Sequence, residues 1–398
     1  MAGGRPHPPV GTAGVSTDDR ADSSEPAPTT TSWPERVLLW MPTEGRIPGG
    51  HVVQLEKTAA ALADSGLEVE TDFTEEPTPD GIELVHGFAL ESRHVRYWHR
   101  RGVPVVLSSI YWDRGYRVVQ GGDRKATARS LAGRGYRAAR FARAALQGRQ
   151  ALIEACMTMD QRETRLFGVF ESVELLLPNA EGEGEGIRRD LGVSTPIHPV
   201  PNGVDPDLFL IPSPTPFEER TYVLYVGRIE PHKNQLGLIR ALQDSGLSLV
   251  IAGKDHPDHG DYAEACRRAG SGWVRFAGPV SDAELADLYA GARVHVLPSW
   301  FETTGLVSLE AALSGCSIVS TSRGHAREYL DRFAVYCDPG QTGSILAAVR
   351  QGWGTPPPPE LRQRILDHYT WSHVAEATLA AYATLPGRTG RTRRTGRP

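Results

Sequence analysis

Short apolar runs and helical patterns alternate along the chain. The run 36–40 is followed by a Gly-rich loop and by apolar residues at helical spacing as far as Leu62. The same order returns at 222–226, where Gly227 and an amphipathic helix precede another apolar run at 247–252. A strand, a helix and a second strand in this order are typical of doubly wound parallel sheets. The pattern predicts two α/β domains, with further strands at 82–85, 103–108, 172–177, 273–277, 294–297 and 317–320.

Proline-rich and polar segments divide this pattern. Prolines crowd together in 204–219, which predicts a stiff connection between the two domains. Gly, Pro, Ser and Thr dominate the first residues and arginines recur in the last ones, so both ends are predicted to be disordered. The predicted divisions are a disordered tail at 1–34, an N-terminal domain at 35–205, a C-terminal domain at 206–370, a closing helix at 371–386 and a basic disordered tail at 387–398.

Composition and charge restrict the possible partners. The chain has 398 residues, of which 40% are hydrophobic and 23% charged, enough to form two cores. A formal net charge of -5 provides no basic excess, so a nucleic-acid partner is not expected. The four cysteines lie far apart without a Cys-x-x-Cys pair. This predicts neither a zinc site nor a disulfide framework, and it fits a reducing cytoplasm.

The hydrophobic runs are too short to cross a membrane. Charges interrupt each apolar stretch before it reaches about 20 residues, and the N-terminal region lacks the apolar core of a signal peptide. We therefore expect a cytoplasmic protein without a transmembrane segment. The arginines of the last segment could make weak peripheral contact with anionic lipid at the inner face of the membrane, although a solvated basic tail is the commoner interpretation.

The segment 299–311 carries the strongest local signal, because it follows a predicted strand and opens a helix. Thr303 or Thr304 is predicted to cap this helix, whose first backbone N–H groups would form an anion site for a diphosphate. Gly305 would let a ligand approach closely. Glu310 lies on the helix stripe that should be apolar, so it needs a partner. For a lone glutamate, capping a neighbouring group or forming an ion pair is the more common explanation.

A second polar segment, 227–234, follows the predicted strand 222–226. It places Arg228 and Lys233 at the C-terminal edge of the sheet, where doubly wound folds bind ligands. Two cations there could hold both phosphates of a nucleoside diphosphate and offset the charge that builds on it as a leaving group. Taken alone, two such cations are more often solvated surface.

Together these segments resemble the donor domain of family 4 glycosyltransferases. Members of this family have the GT-B fold, an α/β architecture in which two doubly wound Rossmann-like domains face a cleft. The spacing of Glu302 and Glu310 matches the family's Glu-x7-Glu pattern. The resemblance implies that Glu310 binds the ribose hydroxyls of the donor and that Glu302 lies near the transferred sugar.

The resemblance also assigns roles to the residues around these two glutamates. Arg228 and Lys233 would bind the diphosphate, with help from amides around Gly305 and Leu306. It therefore implies three catalytic residues and a separate set of donor-binding residues. The implied catalytic residues are Arg228, Lys233 and Glu302, and the implied donor-binding residues are Gly50, Thr303, Thr304, Gly305, Leu306 and Glu310.

The N-terminal domain matches the family more loosely. The loop 48–51 resembles the family's Gly-Gly loop, whose amides face the cleft. After the strand ending at Leu107, many relatives carry a histidine that contacts the donor sugar, whereas this chain continues with 108–113, which contains none. His51 and His86 are the available imidazoles for sugar or acceptor contacts, and a structural hydrogen-bonding role is at least as common for each.

The resemblance implies transfer of a hexosyl or other glycosyl group from a nucleoside diphosphate sugar, bound by the C-terminal domain, to a hydroxyl acceptor bound by the N-terminal domain. Family members retain the anomeric configuration, and we expect no metal and no cofactor.

Two further motifs are not expected to be functional. The Gly/Glu repeat 181–186 lacks dinucleotide-binding spacing, and Asp205-Pro206-Asp207 resembles a metal-binding Asp-x-Asp motif but lies in the proline-rich connection. A phosphorylase, a nucleotide-sugar epimerase and a degenerate non-catalytic sugar-binding protein are the alternatives.

Overall fold

The computed structural model describes residues 34–42, 49–78, 80–112, 161–210 and 213–386. The predicted tails 1–34, apart from Pro34, and 387–398 lie outside the described residues, as does Asp113. The described chain forms two parallel sheets.

The first sheet has five strands in the order β2-β1-β3-β4-β5, all paired in parallel. Its central strands are almost completely buried, because helices cover both faces. The strands are β1 (Arg36–Trp40), β2 (Glu68–Asp72), β3 (Leu84–Phe88), β4 (Val105–Ser108) and β5 (Leu175–Leu177).

The second sheet has six strands in the order β11-β10-β9-β6-β7-β8, again all parallel. The chain reverses direction of winding between β6 and β9, and doubly wound sheets bind ligands at such a point. The strands are β6 (Tyr222–Val226), β7 (Ser248–Ala252), β8 (Val274–Gly278), β9 (Ala292–Leu297), β10 (Ser317–Thr321) and β11 (Val335–Cys337).

Helices connect the strands of both sheets and pack on their faces. The first domain contributes α1 (Gly50–Asp64), α2 (Ser92–His99), α3 (Gln161–Phe170) and α4 (Glu181–Leu191). The remaining helices are α5 (Pro206–Phe209), α6 (Gln235–Leu242), α7 (Gly260–Ala269), α8 (Asp282–Gly291), α9 (Leu306–Leu313), α10 (Ala326–Leu330), α11 (Thr342–Gly354), α12 (Pro359–His368) and α13 (Trp371–Ala383). Short 3-10 turns lie at Phe217–Glu219, Pro231–Lys233 and Asp331–Phe333.

The prediction of two doubly wound α/β domains is confirmed, and each predicted buried strand overlaps an observed one. Two edge strands were missed. β2 carries a charged residue at 68, 70 and 72, so it lacks an apolar run, and β11 has only three residues, two of them half-buried. An edge strand that buries few apolar residues gives a weak sequence signal, whereas the fully buried edge strand β5 was predicted.

The chain crosses between the domains twice, and the two crossings touch. Val204 forms a parallel bridge with Thr370. A Cβ at Gly203 would lie 2.8 Å from the backbone of Thr370, so only glycine fits this close approach. After the second crossing, α13 packs on α1, where Val374 shares a buried cluster with Leu55.

Contacts between α4 and the second domain join the two halves directly. The Glu328 carboxylate accepts the backbone N–H groups of Glu181 (2.8 Å) and Gly182 (3.0 Å) at the start of α4. The Tyr329 hydroxyl donates to the Asn179 carbonyl and accepts from the Asn202 N–H. These bonds fix the spacing of the domains on one side of the cleft.

Candidate active site

A cleft of about 530 Å³ lies between the two sheets. Gly227 and Gly253, which directly follow β6 and β7, line it together with Leu297 at the end of β9. The cleft therefore lies at the carboxyl ends of the second sheet, where the sequence predicts the ligand. Gly50 and His51, at the start of α1, line the opposite wall.

Arg228 reaches across the cleft toward the first domain. Its guanidinium carbon would lie 3.3 Å from a Cβ at Gly49, so the absence of a side chain there makes room for it. The Arg228 Nη2 lies 3.5 Å from the Glu230 Oε1. The Arg228 carbonyl accepts a 2.6 Å hydrogen bond from Gln235 Nε2, which anchors the backbone of this loop. Gln235 thus holds the backbone of Arg228, Glu230 lies beside its guanidinium, and the side chain faces the cleft.

Lys233 and Glu302 form an ion pair on the same wall. Lys233 ends the 3-10 turn that follows Arg228, and its Nζ lies 3.0 Å and 3.2 Å from the two carboxylate oxygens of Glu302. The Glu302 side chain is only 9% exposed. Its backbone bridges to Gly324, which sets the carboxylate at the cleft. The sequence analysis assigned Lys233 and Glu302 separate roles, and the structure shows that they form one ion pair.

The start of α9 differs from the sequence prediction. Gly305, with φ of 76°, is the residue before the first helical turn, and neither threonine caps the helix. The predicted threonine cap was wrong because the Thr304 hydroxyl accepts a 2.9 Å hydrogen bond from Asn202 Nδ2 and also contacts Tyr329. Thr303, Thr304, Gly305 and Leu306 nevertheless all line the cleft. The left-handed backbone that brings α9 to the cleft favours glycine at 305.

Glu310 lies one turn further along α9 than Leu306. Its Oε2 accepts a 2.8 Å hydrogen bond from the Tyr289 hydroxyl. Burial raises the pKa of the Glu310 carboxyl to about 7. The partner that the apolar stripe required is thus a tyrosine of α8, and Glu310 is not among the described residues that line the cleft.

The two candidate histidines occupy different places. His51 lines the cleft. His86 is 1% exposed, and its ring nitrogens lie 2.8 Å from the Tyr382 hydroxyl and 2.8 Å from the Ser108 hydroxyl. Burial lowers the pKa of the His86 imidazole to about 3, so the ring is neutral. The structure therefore does not bring His86 to the cleft, and its bonds fasten α13 to β4.

The loop after β4 supplies a contact that the sequence did not suggest. Trp112 stacks flat on His232, with ring centroids 4.4 Å apart and an interplanar angle of 6°. The two rings come from different domains, and both line the cleft. Burial, reinforced by Lys233, lowers the pKa of His232 to about 4, so the imidazole is neutral.

Glu183 holds this loop in place. Its Oε1 accepts the Ser109 hydroxyl (3.0 Å) and the Tyr111 N–H (2.8 Å), and its Oε2 accepts the Asn179 N–H (3.0 Å). Burial raises the pKa of this carboxyl to about 7. The Gly/Glu repeat is therefore the first part of α4, and one of its glutamates is a structural anchor. Only the fold could reveal this, since Ser109 and Tyr111 lie 74 and 72 residues away in sequence.

The Asp205-Pro206-Asp207 motif has a structural role. Asp205 accepts the Asp207 N–H at 3.1 Å and pairs with Lys57 at 3.1 Å, so this motif caps α5.

Elsewhere in the described residues, Glu230, His256 and His259 form one group that could hold a metal ion. The helices that the structure describes include none long and apolar enough to cross a membrane.

Comparisons with known proteins agree with this architecture. Residues 209–364 match the family described as Glycosyl transferases group 1. A glycogen synthase of Mycobacterium tuberculosis is 31% identical over 193 residues, which are 46% of this chain and 47% of the relative, so the match spans about half of each. A D-inositol 3-phosphate glycosyltransferase of Kribbella flavida is 27% identical over 84% of this chain and 91% of the relative.

Solved structures share the whole two-domain fold. Sucrose-phosphate synthase from Thermosynechococcus elongatus superimposes with a TM-score of 0.66 at 18% identity, covering 87% of this chain and 98% of that one. Anabaena HepE in complex with UDP and glucose gives 0.62 at 14% identity, covering 88% and 100%. The chain therefore has the GT-B fold, and its residues 209–364 are similar in sequence to group 1 glycosyl transferases.

Proposed function

We propose that this protein is a family 4 glycosyltransferase that transfers a sugar from a nucleoside diphosphate sugar to a hydroxyl acceptor, with retention of configuration and without a metal ion. The observation that carries the proposal is the convergence of Arg228, Lys233 and the start of α9 on one wall of the cleft. Two cations and unsatisfied helix N–H groups are the groups that bind a diphosphate.

The chemistry of the leaving group explains why both cations are needed. When the bond between the sugar and the diphosphate breaks, negative charge grows on the phosphate oxygens. Preorganised cations stabilise that charge without having to reorganise during the reaction. Arg228 can grip two oxygens with its planar fork, whereas Lys233 acts as a point charge. Anabaena HepE, which has this fold and whose crystal structure contains UDP and glucose, supports such an occupant.

Glu310 and Glu302 are proposed to hold the two ends of the donor. Glu310 would accept the ribose hydroxyls with a carboxylate whose Oε2 is already bonded to Tyr289. Glu302, paired with Lys233 at the cleft, would contact the transferred sugar. The ion pair places the Glu302 carboxylate and the Lys233 ammonium together at the cleft wall, where the sugar and the diphosphate of the donor would meet.

The acceptor is proposed to bind against the first domain. His51 and Trp112 line this side of the cleft, and Trp112 stacks on His232 of the second domain. Sugar rings present C–H groups that pack well on aromatic faces, so Trp112 is proposed to take the place of the histidine that the family resemblance led us to expect after β4. The protein is proposed to act in the cytoplasm, with at most weak peripheral contact at the membrane.

The phosphorylase, epimerase and non-catalytic alternatives gain no support from the matched relatives, whose names are those of synthases and transferases. The test is thermal unfolding of the full chain with uridine, guanosine, adenosine and thymidine diphosphates. We expect one of them to raise the melting temperature of the wild type and to lose this effect in Arg228→Ala. The matched control, Arg268→Ala, changes an arginine that is 71% exposed on α7. No shift with any nucleotide, or equal shifts in both variants, would remove the donor site from this wall.

A further inference from the structure

Two loops beside the donor cleft are tied together by their backbones. One follows β6 and carries Glu230, and the other follows β7 and carries His256. Between them, Ile229 and Asp255 form a parallel bridge, in which the Ile229 N–H donates to the Lys254 carbonyl (2.9 Å) and the His256 N–H to the Ile229 carbonyl (3.2 Å). The side chains of Glu230 and His256 are consequently neighbours before any ligand binds.

A turn brings a second imidazole to the same place. The His259 N–H donates to the His256 carbonyl at 3.1 Å, directly before α7. The two rings lie 4.7 Å apart at an angle of 42°. Across the described residues no hydrogen bond to a His259 ring nitrogen is found, so this ring retains a lone pair for a ligand.

The three side chains converge at distances that suit a metal ion. One ligand atom from each of Glu230, His256 and His259 lies within 4.8 Å of the others. The Glu230 Oε2 and the His256 Nε2 are 3.9 Å apart, which is too long for a direct hydrogen bond. Two ligands about 2.0–2.1 Å from a tetrahedral zinc ion are about 3.3 Å apart, so a closure of less than 1 Å roughly satisfies this pair. Glu230 and His256 are 8% and 9% exposed, which limits competition from solvent.

We propose that Glu230, His256 and His259 bind a single divalent transition-metal ion, for which Zn²⁺ is the best match. Two imidazoles and one carboxylate with an open fourth position form a donor set that zinc uses. Mg²⁺ and Ca²⁺ prefer oxygen ligands, so they should not compete. The sequence shows a His-x-x-His pair at His256 and His259, but the third ligand is not apparent from it because Glu230 lies 26 residues before His256.

The second nitrogen of His256 has a defined environment. Its Nδ1 accepts the Asp258 N–H at 3.1 Å, and the Asp258 Oδ2 lies 4.0 Å from it. In this structure Nδ1 accepts a hydrogen bond, so a neutral ring carries its proton on Nε2. Coordination through Nε2 would move that proton to Nδ1, and the bond from the Asp258 N–H would then be exchanged for one in which Nδ1 donates to the Asp258 carboxylate. Carboxylates play this role for many zinc-bound histidines. We assign the ion no step in sugar transfer; it would brace the loop that carries Arg228, whose guanidinium contacts Glu230.

The test is zinc binding by the full chain after stripping with EDTA and removing the chelator. We measure bound Zn²⁺ by equilibrium dialysis with elemental analysis, and unfolding by calorimetry at a free Zn²⁺ concentration about 100 times the measured Kd. We expect one equivalent per chain, no binding of Mg²⁺, and a rise in Tm of roughly 5 to 10 °C, since a ligand that binds only the folded state stabilises it.

Substitution distinguishes this site from adventitious binding. We expect His256→Ala and His259→Ala to weaken zinc binding by at least about tenfold. His368→Ala removes an exposed histidine elsewhere and should bind as the wild type does. If His259→Ala unfolds, His259→Gln takes its place. The proposal is overturned if the wild type binds less than one equivalent at micromolar zinc, or if the ligand variants and His368→Ala bind alike. Because the readout is binding, it is independent of the proposed transferase activity.

Discussion

Replacing Lys233 with alanine is expected to affect stability and catalysis by separate routes. The substitution leaves the Glu302 carboxylate, which is 9% exposed, without the ammonium that lies 3.0 Å from it. A hydrogen bond to a charged group contributes about 1.5 to 3 kcal/mol, and Lys233 is itself partly exposed, so we expect a loss of about 2 kcal/mol. For a domain of this size that loss corresponds to a decrease in Tm of roughly 4 to 8 °C.

The catalytic effect depends on charge that appears during the reaction. Two unit charges about 4 Å apart interact by about 4 kcal/mol near a protein surface, but most of the diphosphate charge is present before the bond breaks. Only the additional charge on the leaving group changes kcat. Loss of one preorganised electrostatic group typically costs about a hundred- to a thousandfold in kcat, and we expect that range for Lys233→Ala.

A double variant separates the two effects. Glu302→Gln in the Lys233→Ala background removes the unpaired carboxylate, so most of the lost stability should return while kcat stays low. The assays are calorimetric unfolding and initial rates at saturating donor, with Arg268→Ala, on an exposed helix pair, as the unaffected control. A folded Lys233→Ala variant with wild-type kcat would refute the leaving-group argument, and an unchanged Tm would show that the pair contributes nothing to stability.

Four further outcomes are expected. Turnover at room temperature should survive excess EDTA, and loss of activity that added Mg²⁺ or Mn²⁺ restores would contradict cation assistance by side chains. Glu310→Ala should weaken donor binding about ten- to a hundredfold, which calorimetry of the folded variant measures, and unchanged affinity would remove Glu310 from the ribose site. Arg228→Ala should lower kcat about a hundredfold or more, and Arg228→Lys should recover only part of the lost kcat. If both variants had the kcat of the wild type, Arg228 would position the donor without stabilising its leaving group. His86 has a folded-state pKa of about 3, below the usual 6.5, so the unfolded chain binds more protons between these values. The unfolding free energy contributed by this ring should fall as the pH drops from about 6.5 towards 3, and a His86→Gln variant with the same pH slope as the wild type would disprove the assignment.

The central strands could be predicted from sequence because burial on both faces demands continuous apolar runs. Tyr222–Val226 and Ser248–Ala252 are such runs, and both were located within about one residue. The edge strand Glu68–Asp72 has a charged residue at every second position and gives no comparable signal. Local patterns therefore identified the central strands and the edge strands β5 and β8, but they missed the polar edge strand β2 and the short edge strand β11.

Within the site, residues on one short segment were predictable and residues joined by the fold were not. Arg228 and Lys233 directly follow one strand, so their place at the sheet edge follows from the strand itself. Trp112 meets His232 only because two domains face each other, and Glu183 reaches Ser109 only through the packing of α4. The side-chain direction of Thr304, which decided the helix cap, depends on Asn202 from the distant crossing segment.

The proposal of a cleft for a nucleoside diphosphate sugar is tested most directly by release of nucleoside diphosphate from a panel of nucleotide sugars. Without an acceptor, slow hydrolysis reports the same bond cleavage as transfer does. We expect the wild type to release nucleoside diphosphate from at least one donor, with inorganic phosphate neither required nor incorporated, and Arg228→Ala and Lys233→Ala to lose this release by about a hundredfold while Arg268→Ala retains it. A folded wild type that releases none from any donor, or variants that release it at the wild-type rate, would contradict the proposed function.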